Sequence, residues 1–224
     1  MKKIVISLGG SVIVPDKVDY NFLDKFKHLI LRFAKKNKVV VVTGGGSTCR
    51  KYLKPLEKEH YSHKVYSLIG IASTKLNARL VDGVFRRTDK IPETLSEVKG
   101  SLKRKNIVIC GALGFQPEST SDGNAAEVAR MIKADFFVNI TNIKGLYDKH
   151  PKLKGAKFIP EISFEDFWNR ARKIKFKAGQ HFVLDKLAAK IIKDYRIKTY
   201  IVNNNLKNLK NLLDGKKFMG TVIH

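Results

Sequence analysis

The sequence has almost no cysteine: Cys49 and Cys110 are the only two in 224 residues, and they stand far apart without metal-ligand spacing. This argues against a disulfide framework or a cysteine-bound zinc site, and it is typical of a reduced, cytoplasmic protein. No apolar run approaches the length of a membrane span. Residues 1–15 are basic and then apolar, but glycines and a proline interrupt them, so we interpret them as a strand and turn and not as a signal peptide.

Acidic residues are also scarce, with 20 Asp and Glu against 44 Lys and Arg and a formal net charge of +24. Such a balance attracts anions, which include nucleotides, nucleic acids and acidic membranes. The basic residues are spread along the whole chain, however, and the sequence carries no DNA- or RNA-binding motif. We therefore interpret most of them as a solvated surface, and we expect neither a nucleic acid nor a membrane as a partner.

The hydrophobic content, 43%, is that of a globular chain, and the length suits one α/β domain with an ample core or two small ones. No internal repeat, low-complexity segment or linker divides the sequence. We therefore predict one domain, residues 1–224, with an N-terminal lobe to about residue 133 and a C-terminal lobe from about residue 134.

Apolar runs alternate with amphipathic runs along the chain. Strands are predicted at 2–8, 38–43, 106–110, 135–141 and 197–202, with an edge strand in the tail sequence MGTVI. Helices are predicted at 20–37, 47–59, 64–84, 92–103, 121–133, 163–172, 185–195 and 206–213, with a long loop over about 142–160. The alternation indicates a mainly parallel sheet with helices on both faces. Ligands bind such sheets beyond the carboxyl ends of the strands, where loops here begin at Gly9, Gly44, Gly111 and Asn142.

Glycine-rich turns follow two of the early strands. The stretch VVVVTGGGSTCRKYL, residues 39–53, places three glycines between a strand and a helix, with Arg50 one turn into that helix. LGGSV, residues 8–12, repeats the pattern with Gly9, Gly10 and Ser11. Each turn can be a tight turn that binds nothing, or it can offer helix N–H groups and a positive dipole to phosphate. Because one polyphosphate can contact both turns, we favour a phosphate site.

Two later loops carry polar residues near strand ends. In residues 111–129, Thr120 and Ser121 stand at a predicted helix start, where hydroxyl and N–H groups face an anion. Asp122 can then be an N-cap or first-turn acid, or in a phosphate-lined cleft it can orient catalytic cations or reach Mg²⁺. Further along, Tyr147 can stack on a flat base or fill core, and the lone loop residue His150 is expected in solvent.

Taken in chain order, six segments resemble the amino acid kinase family and, within it, the archaeal-type uridylate kinases. They are GGSVIVP, VVTGGGSTCRKY, IGIASTKLNARLV, GFQPESTSDGNAAEVA, ITNIKGLYDKHP and KAGQHFVLDKLAAKIIK, and they span residues 9–193. The resemblance implies a three-layer αβα sandwich around a mainly parallel sheet, with the phosphoryl acceptor on the N-terminal side and ATP on the C-terminal side. It also implies ATP- and Mg²⁺-dependent phosphorylation of UMP to UDP in pyrimidine nucleotide biosynthesis, by a cytoplasmic homohexamer built as a trimer of dimers.

The resemblance further assigns roles to individual residues. Arg50 and Asp122 would be catalytic, and no set of resident metal ligands is implied. ATP would be bound by Gly9, Gly10, Ser11, Gly46, Arg50, Thr141, Gly145, Tyr147 and His150. UMP would be bound by Gly45, Ser67, Phe115, Gln116, Pro117, Glu118, Ser119, Thr120 and Ser121.

The chain departs from the family pattern before the first glycine turn. Relatives often carry a lysine where Ser7 stands, and that lysine neutralises the transferred phosphate. Another cation or Mg²⁺ must supply this charge here, and Lys144 and Lys186 are the candidates by loop position.

Other departures lie on both sides of the expected site. Relatives place an aspartate where Ser67 stands, to hold the nucleoside sugar, and their ATP-side loop usually reads Asp-Pro where this chain has His150 and Pro151. The stretch GALGFQP, residues 111–117, takes the place of a shorter Gly-Gly loop. Two alternatives therefore stay open: a kinase of this fold for another small phosphate or acid acceptor, or a non-catalytic protein that binds anions or nucleotides.

Overall fold

Parallel strands dominate the structure, a computed structural model that describes residues 1–58, 61–114, 120–173 and 184–224. The strands are β1 (Lys3–Leu8), β2 (Lys38–Thr43), β3 (Ile107–Cys110), β4 (Phe136–Thr141), β5 (Leu146–Tyr147), β6 (Phe158–Ile159), β7 (Glu161–Ile162), β8 (Thr199–Asn203) and β9 (Thr221–Ile223). Among the described residues, seven of them form one sheet in the order β3-β2-β1-β4-β8-β9-β7. The pairs from β3 to β8 are all parallel, which confirms the predicted mainly parallel sheet.

Helices cover both faces of this sheet. They are α1 (Gly10–Ile13), α2 (Tyr20–Ala34), α3 (Gly46–Leu53), α4 (His63–Val84), α5 (Leu95–Arg104), α6 (Ser121–Ile132), α7 (Phe164–Ala171), α8 (Lys186–Asp194) and α9 (Leu206–Leu213). Side chains of β1 alternate between two cores, because successive residues of a strand point to opposite faces. Ile4 and Ile6 pack with α1, α2, α4 and α9, whereas Val5 packs with α5, α6, α7 and α8. The predicted three-layer sandwich is confirmed.

Local sequence fixes where several helices begin. The side chains of Asp19, Ser163 and Asn205 each accept a hydrogen bond from a backbone N–H three residues further on, at the starts of α2, α7 and α9. Such a cap satisfies one of the N–H groups that a helix start leaves without an internal partner. The helices predicted at 20–37, 163–172 and 206–213 accordingly lie within a few residues of their observed bounds.

The structure differs from the sequence prediction in several places, which include the unpredicted helix α1 and the unpredicted strand β7. The loop predicted over 142–160 contains the antiparallel hairpin of β5 and β6. The helix predicted over 47–59 ends at Leu53 and continues as a 3₁₀ turn, Lys54–Lys58. The helix predicted from residue 92 begins only after Thr94, which caps it. Finally, the tail strand β9 is not at the sheet edge, because β7 pairs beyond it and forms the edge.

The position of β1 in the sheet decides where a ligand can bind. β1 pairs with β2 on one side and with β4 on the other, so the chain reverses its direction of winding beside β1. The loops that follow β1, β2 and β4 therefore diverge at one edge and leave a crevice there. Within the described part of the chain, every helix is too short or too polar to span a membrane.

Candidate active site

A cavity of about 490 Å³ opens beyond the carboxyl ends of β1, β2 and β4. Ten residues assigned to the site from the sequence line it: Gly9, Gly10, Ser11, Gly45, Gly46, Arg50, Ser121, Asp122, Thr141 and His150. Gly44, Asn139, Asn142, Ile143, Pro151 and Lys152 complete most of the remaining lining. The structure thus brings the two glycine turns, the start of α6 and the loop after β4 around one space, which we call the glycine cleft.

The two glycine turns contact each other through their backbones. A Cβ atom on Gly10 would lie 1.9 Å from the backbone nitrogen of Gly46, and one on Gly46 would lie 2.3 Å from the carbonyl oxygen of Gly10. Gly46 also has a φ of +64°, in the region that favours glycine. Glycine at these positions is therefore required by the packing of one turn on the other, a reason that the sequence alone did not indicate.

Two helices begin at the cleft without a side-chain cap. Gly9 precedes α1 and Gly45 precedes α3, and among the described residues no side chain accepts a hydrogen bond from either helix start. The first N–H groups of a helix lack intrahelical partners, and the helix dipole is positive there. The longer helix, α3, thus presents N–H dipoles to the cleft beside the backbone of the first turn, which suits a phosphate group.

Arg50 and Lys152 bring positive side chains to the cleft. Arg50 is exposed and lies one turn into α3, where its guanidinium makes only a long contact, 3.5 Å, with the carbonyl oxygen of Pro15. Its neighbour Lys51 instead forms an ion pair with Asp16 at 3.0 Å. Since Arg50 is held so weakly, its guanidinium can turn to an anion in the cleft at little cost.

Asp122 lies in the first turn of α6, but it does not cap that helix. The cap is Thr120, whose side chain accepts a hydrogen bond from the N–H of Asp122. The Asp122 carboxylate turns back to the sheet and accepts hydrogen bonds from Ser7 Oγ at 2.6 Å and from Asn139 Nδ2 at 2.8 Å. Ser7 and Asn139 are themselves partners across β1 and β4. Of the two interpretations of Asp122, the structure therefore supports a carboxylate at the cleft over an N-cap.

The surroundings of Asp122 alter its proton affinity. Burial raises the pKa of its carboxyl to about 7, and the nearby carboxylate of Asp185 adds to the rise, whereas the hydrogen bonds from Ser7 and Asn139 lower it. Burial disfavours the charged form of a carboxyl, because protein atoms replace the water that would solvate it. A carboxyl of this kind exchanges its proton near neutral pH, which is typical of a functional group and not of a surface acid.

Asp185 connects two helix starts beside the cleft. Its Oδ2 accepts hydrogen bonds from the backbone N–H of Thr120 at 2.9 Å and from the Thr120 hydroxyl at 2.6 Å, and its Oδ1 accepts one from the N–H of Ala188 at 2.6 Å. One carboxylate therefore caps α8 and fixes the entry to α6. The predicted UMP ligand Thr120 is accordingly a structural residue of the α6 start as well as a neighbour of the cleft.

Several of the residues assigned from the sequence do not line the glycine cleft. Ser67 lies on α4, half-buried, and its hydroxyl donates to the carbonyl oxygen of His63 at 3.0 Å. Lys144 and Lys186 are exposed and also lie outside the cleft lining. The remaining UMP ligands proposed from the resemblance, Phe115, Gln116, Pro117, Glu118 and Ser119, lie outside the described residues.

Gly145 and Tyr147 belong to the hairpin and not to the cleft lining. A Cβ on Gly145 would lie 2.6 Å from Thr221 Oγ1, so glycine there lets the hairpin pack on β9. The ring of Tyr147 packs edge-on against Phe158 with centroids 5.5 Å apart, and it lines a second cavity of about 910 Å³ beside α7. This second cavity is larger, but it lacks the glycine turns and helix starts, so we place the phosphate chemistry in the smaller one.

His150 is exposed, as predicted, yet it lines the glycine cleft next to Pro151 and Lys152. Its Nδ1 accepts a hydrogen bond of 3.3 Å from the backbone N–H of Lys152. Lys152 and Asn139 were missed from the sequence. The only signal for Asn139 was a polar residue within the apolar strand FFVNIT, near its carboxyl end.

The described residues contain no group of three or more His, Cys, Asp or Glu side chains that could hold a metal ion. Asp122 is the one acidic side chain among the described residues that line the cleft. A single carboxylate fits Mg²⁺ that arrives with a nucleotide, because Mg²⁺ keeps several waters and takes phosphate oxygens as its other ligands. This donor is therefore suited to a metal–nucleotide complex.

Comparison with known proteins agrees with this geometry. The sequence model of the amino acid kinase family matches residues 2–203. The uridylate kinase of Archaeoglobus fulgidus is 35% identical over 223 residues, 99% of both chains, and that of Thermococcus sibiricus is 34% identical over 226 residues, again 99% of both.

The crystal structure of the A. fulgidus uridylate kinase superposes with a TM-score of 0.86 at 34% identity and covers all of both chains. UMP kinase from Bacillus anthracis, 20% identical, shares the fold with a TM-score of 0.80, over 100% of this chain and 96% of its own. The chain belongs to the amino acid kinase family.

Proposed function

We propose that the protein transfers the γ-phosphoryl group of ATP to UMP and releases UDP and ADP. The observation that carries this proposal is the glycine cleft, where two backbone turns, the start of α3 and Arg50 surround one space. The uridylate kinases of A. fulgidus and T. sibiricus, which match this chain along nearly its whole length, support UMP as the acceptor. The reaction would serve pyrimidine nucleotide biosynthesis in the cytoplasm.

Phosphoryl transfer to UMP requires positioning of the substrates and neutralisation of their charge more than it requires a strong base. The attacking group is a phosphate oxygen of UMP, which is already largely ionised near pH 7. The backbone N–H groups around Gly10, Ser11 and Gly46 would bind the phosphates of ATP, and Arg50 would stabilise the charge of the transferred group. Mg²⁺, bound with ATP, would neutralise part of the phosphate charge. Asp122 would orient the cations around that charge.

Lys152 is our candidate for the cation that replaces the family lysine at position 7. It lines the cleft beside His150, whereas Lys144 and Lys186 lie outside the lining. A lysine side chain is long and flexible, so it can reach the transferred phosphate from the loop after β4. This assignment replaces the two lysines suggested by loop position.

The nucleoside ends would extend from the cleft in two directions. We assign the adenosine of ATP to the side of Thr141 and His150, close to the hairpin that carries Gly145 and Tyr147. We assign UMP to the side of Gly45, where Ser121 lines the cleft and the segment 115–119 leads into α6. Ser67 supplies at most a neutral hydroxyl to the ribose, and that hydroxyl already donates to His63.

We also propose a homohexamer built as a trimer of dimers. Large apolar side chains lie exposed on neighbouring helices, Tyr52 on α3 at 68% and Leu68 and Leu76 on α4 at 49% and 59%. An apolar surface of this kind favours association with a second copy, since contact removes it from water. Sedimentation equilibrium measures the assembly directly. A monomer at all concentrations would contradict the proposal, and Leu76→Glu should weaken the assembly if α4 forms part of the interface.

The activity is tested by ADP release with UMP, CMP, dUMP and small carboxylic acids as acceptors, with UDP identified by mass spectrometry. We expect UDP from ATP and UMP in the presence of Mg²⁺. Asp122→Asn, which keeps the size of the side chain, should retain ATP binding and lose most of the turnover. Phosphorylation of a carboxylic acid but not of UMP would identify a different acceptor, and ATP binding without any transfer would identify a non-catalytic protein.

A further inference from the structure

The carbonyl groups of the second glycine turn are held by a side chain of α4. The Nδ2 of Asn77 donates to the carbonyl oxygen of Gly44 at 2.7 Å and to that of Gly45 at 3.1 Å. Because both partners are carbonyl oxygens, only the NH₂ end of the amide can face them. One side chain therefore holds two successive peptide groups of the turn, and we call this pair of hydrogen bonds the Asn77 clamp.

The clamp determines where the N–H groups of the turn point. In a trans peptide, the carbonyl of one residue and the N–H of the next point in opposite directions. The carbonyls of Gly44 and Gly45 point to α4, so the N–H groups of Gly45 and Gly46 point away from it. Within the described part of the chain, neither N–H donates to a protein group, and no residue of α4 lines the glycine cleft. Both donors are therefore left for a ligand on the cleft side of the turn.

The helix that carries Asn77 is itself fixed against the end of β2. The hydroxyl of Thr43, the last residue of β2, donates to the carbonyl oxygen of Thr74 on α4 at 2.8 Å. Asn77 lies one turn further along α4 and is 2% exposed, and Ala78 and Val81 beside it are fully buried. The turn is thus held against a group that packing keeps in place.

Hydrogen-bonding capacity alone does not account for the clamp. The carbonyl oxygen of Gly45 already accepts a bond of 3.3 Å from the N–H of Cys49, so the bond from Asn77 is its second. Asparagine has a low helix propensity and is costly to bury, yet it stands inside a 22-residue helix. The two bonds offset these costs, and together they fix the direction of two peptide groups.

We propose that Asn77 is a positioning residue that aims the N–H groups of Gly45 and Gly46 at the phosphoryl group as it is transferred. This proposal rests on the proposed function, which assigns Gly45 to the UMP side and Gly46 to the phosphates of ATP. Two adjacent donors then lie where the phosphoryl group passes from one substrate to the other. Donors that are held in place before the reaction stabilise the charge of the transition state without reorganisation. A loosened turn would still leave Gly10 and Ser11 to bind ATP, but transfer would be slow.

The test compares the steady-state kinetics of the wild type with those of Asn77→Ala, Asn77→Asp and Thr74→Val. Asn77→Ala removes the clamp, and Asn77→Asp removes the NH₂ donors while it keeps the size of the side chain. Thr74→Val is the matched control, because Thr74 is 6% exposed on the same helix and its Oγ1 accepts a bond of 2.9 Å from the N–H of Ala112, beyond β3. It removes a buried hydrogen bond between α4 and a strand end without altering the glycine turn.

We expect kcat to fall about tenfold or more in both Asn77 variants, while the KM values for ATP and UMP stay within about threefold of the wild type. Thr74→Val should keep kcat within about twofold. A loss of stability alone would lower the melting temperatures of all three variants and would not single out kcat at position 77. A wild-type kcat in folded Asn77→Ala, or an equal fall of kcat in Thr74→Val, would overturn the proposal.

Hydrogen-exchange mass spectrometry of peptides that cover residues 44–47 tests the clamp without any turnover. Saturating MgATP should slow exchange at Gly45 and Gly46 in the wild type and in Thr74→Val, and slow it much less in Asn77→Ala. A wild type that does not phosphorylate UMP disproves the proposed function, and this exchange then decides on the clamp by itself. Equal protection in the wild type and Asn77→Ala, or no protection in the wild type, would overturn the clamp. If Asn77→Ala does not fold, the isosteric Asn77→Asp takes its place in both measurements.

Discussion

Ser7 Oγ lies 2.6 Å from Asp122 Oδ1 and donates a hydrogen bond to it, although the two residues are 115 positions apart in the chain. Ser7 is on β1 and 1% exposed, and Asp122 is in the first turn of α6 at the glycine cleft. The family lysine at position 7 would place a cation beside this carboxylate. In this chain a neutral hydroxyl takes its place, so the pKa of Asp122 rises with burial to about 7.

The first prediction follows from this pKa. If ionised Asp122 orients the cations of the cleft, kcat should fall as the pH decreases through about 7. Ser7→Lys should lower the pKa of Asp122, since an opposite charge at this distance stabilises the carboxylate, and move the acid limb of the profile down by about 1–3 pH units. The measurement is kcat for UDP formation from roughly pH 5 to pH 9, which covers both sides of the titration. An acid limb at the same pH in both proteins would contradict this role of Asp122.

Asp122 also affects the pH dependence of the free energy of unfolding. Its effect has the opposite sign to that of a salt-bridged carboxylate, which stabilises the folded protein more as the pH rises. Between the usual pKa of an aspartate and about 7, the folded protein binds a proton that the unfolded chain has released. The contribution of Asp122 to stability is therefore fully present at low pH and is lost as the pH rises through about 7. Urea unfolding at several pH values should show a smaller loss over this window in Ser7→Lys than in the wild type.

The second prediction concerns Arg50. Arg50→Ala should slow phosphoryl transfer more than it weakens UMP binding, because we assign the guanidinium to the transferred phosphoryl group and not to the acceptor. Removal of one charge-assisted contact to a transferring phosphoryl group should raise the barrier by on the order of 2–4 kcal/mol. Single-turnover rates and UMP titrations measure the two effects separately. Lys51→Ala is the control, since Lys51 is the adjacent basic residue and pairs with Asp16; wild-type turnover in Arg50→Ala would remove Arg50 from the mechanism.

The third prediction concerns the sugar of the acceptor. A carboxylate at position 67 could accept hydrogen bonds from both ribose hydroxyls, whereas Ser67 offers one neutral group that already donates to His63. We expect modest UMP affinity and poor discrimination between UMP and dUMP in the wild type. Ser67→Asp should tighten UMP binding by about 1–2 kcal/mol and leave dUMP binding less changed.

Calorimetric titrations of UMP and dUMP test this prediction, with Ser96→Asp as the control because Ser96 is exposed on α5. Tight binding and strong ribose preference in the wild type, with no gain in Ser67→Asp, would mean that another residue holds the sugar. No binding of either nucleotide would instead favour a different acceptor.

The fourth prediction concerns the net charge of +24. We expect it to act as a solvated surface, since basic residues are spread over the chain and several pair with acids, such as Lys75 with Glu93 at 2.8 Å and Lys90 with Glu97 at 2.9 Å. Gel shifts with duplex DNA and structured RNA should show no tight complex at about 0.15 M salt. Tight binding with a steep salt dependence requires several clustered phosphate contacts and would identify a nucleic-acid surface.

Much of the fold was predictable because its strands are apolar runs that any parallel sheet would bury, as KVVVVT shows. The strand β2 was predicted with its observed bounds, and the convergence of the two glycine turns followed from the parallel topology alone. The short hairpin of β5 and β6 was missed, because strands of two residues carry no periodicity. Short strands depend on their packing against β9, which the local sequence does not reveal.

The site was less predictable than the fold. Arg50 stands one turn into a helix and Asp122 in the first turn of another, and both helices follow recognisable loops, so the sequence indicated them. Asn139 became part of the site only through its neighbours across the sheet. Such contacts join residues that are distant in the chain, and without the register of the sheet no spacing rule connects them.

The contact between Gly10 and Gly46 has a consequence for how this protein can change over generations. The backbones of the two turns contact each other directly, and no side chain lies between them. A substitution therefore cannot change the size or the charge of a group at this contact. The spacing of the two turns is thus fixed by peptide geometry and is closed to gradual adjustment. Variation is left to the side chains that line the cleft around the turns, such as those at positions 50, 122 and 152, and a new acceptor preference would have to arise there while the turns stay as they are.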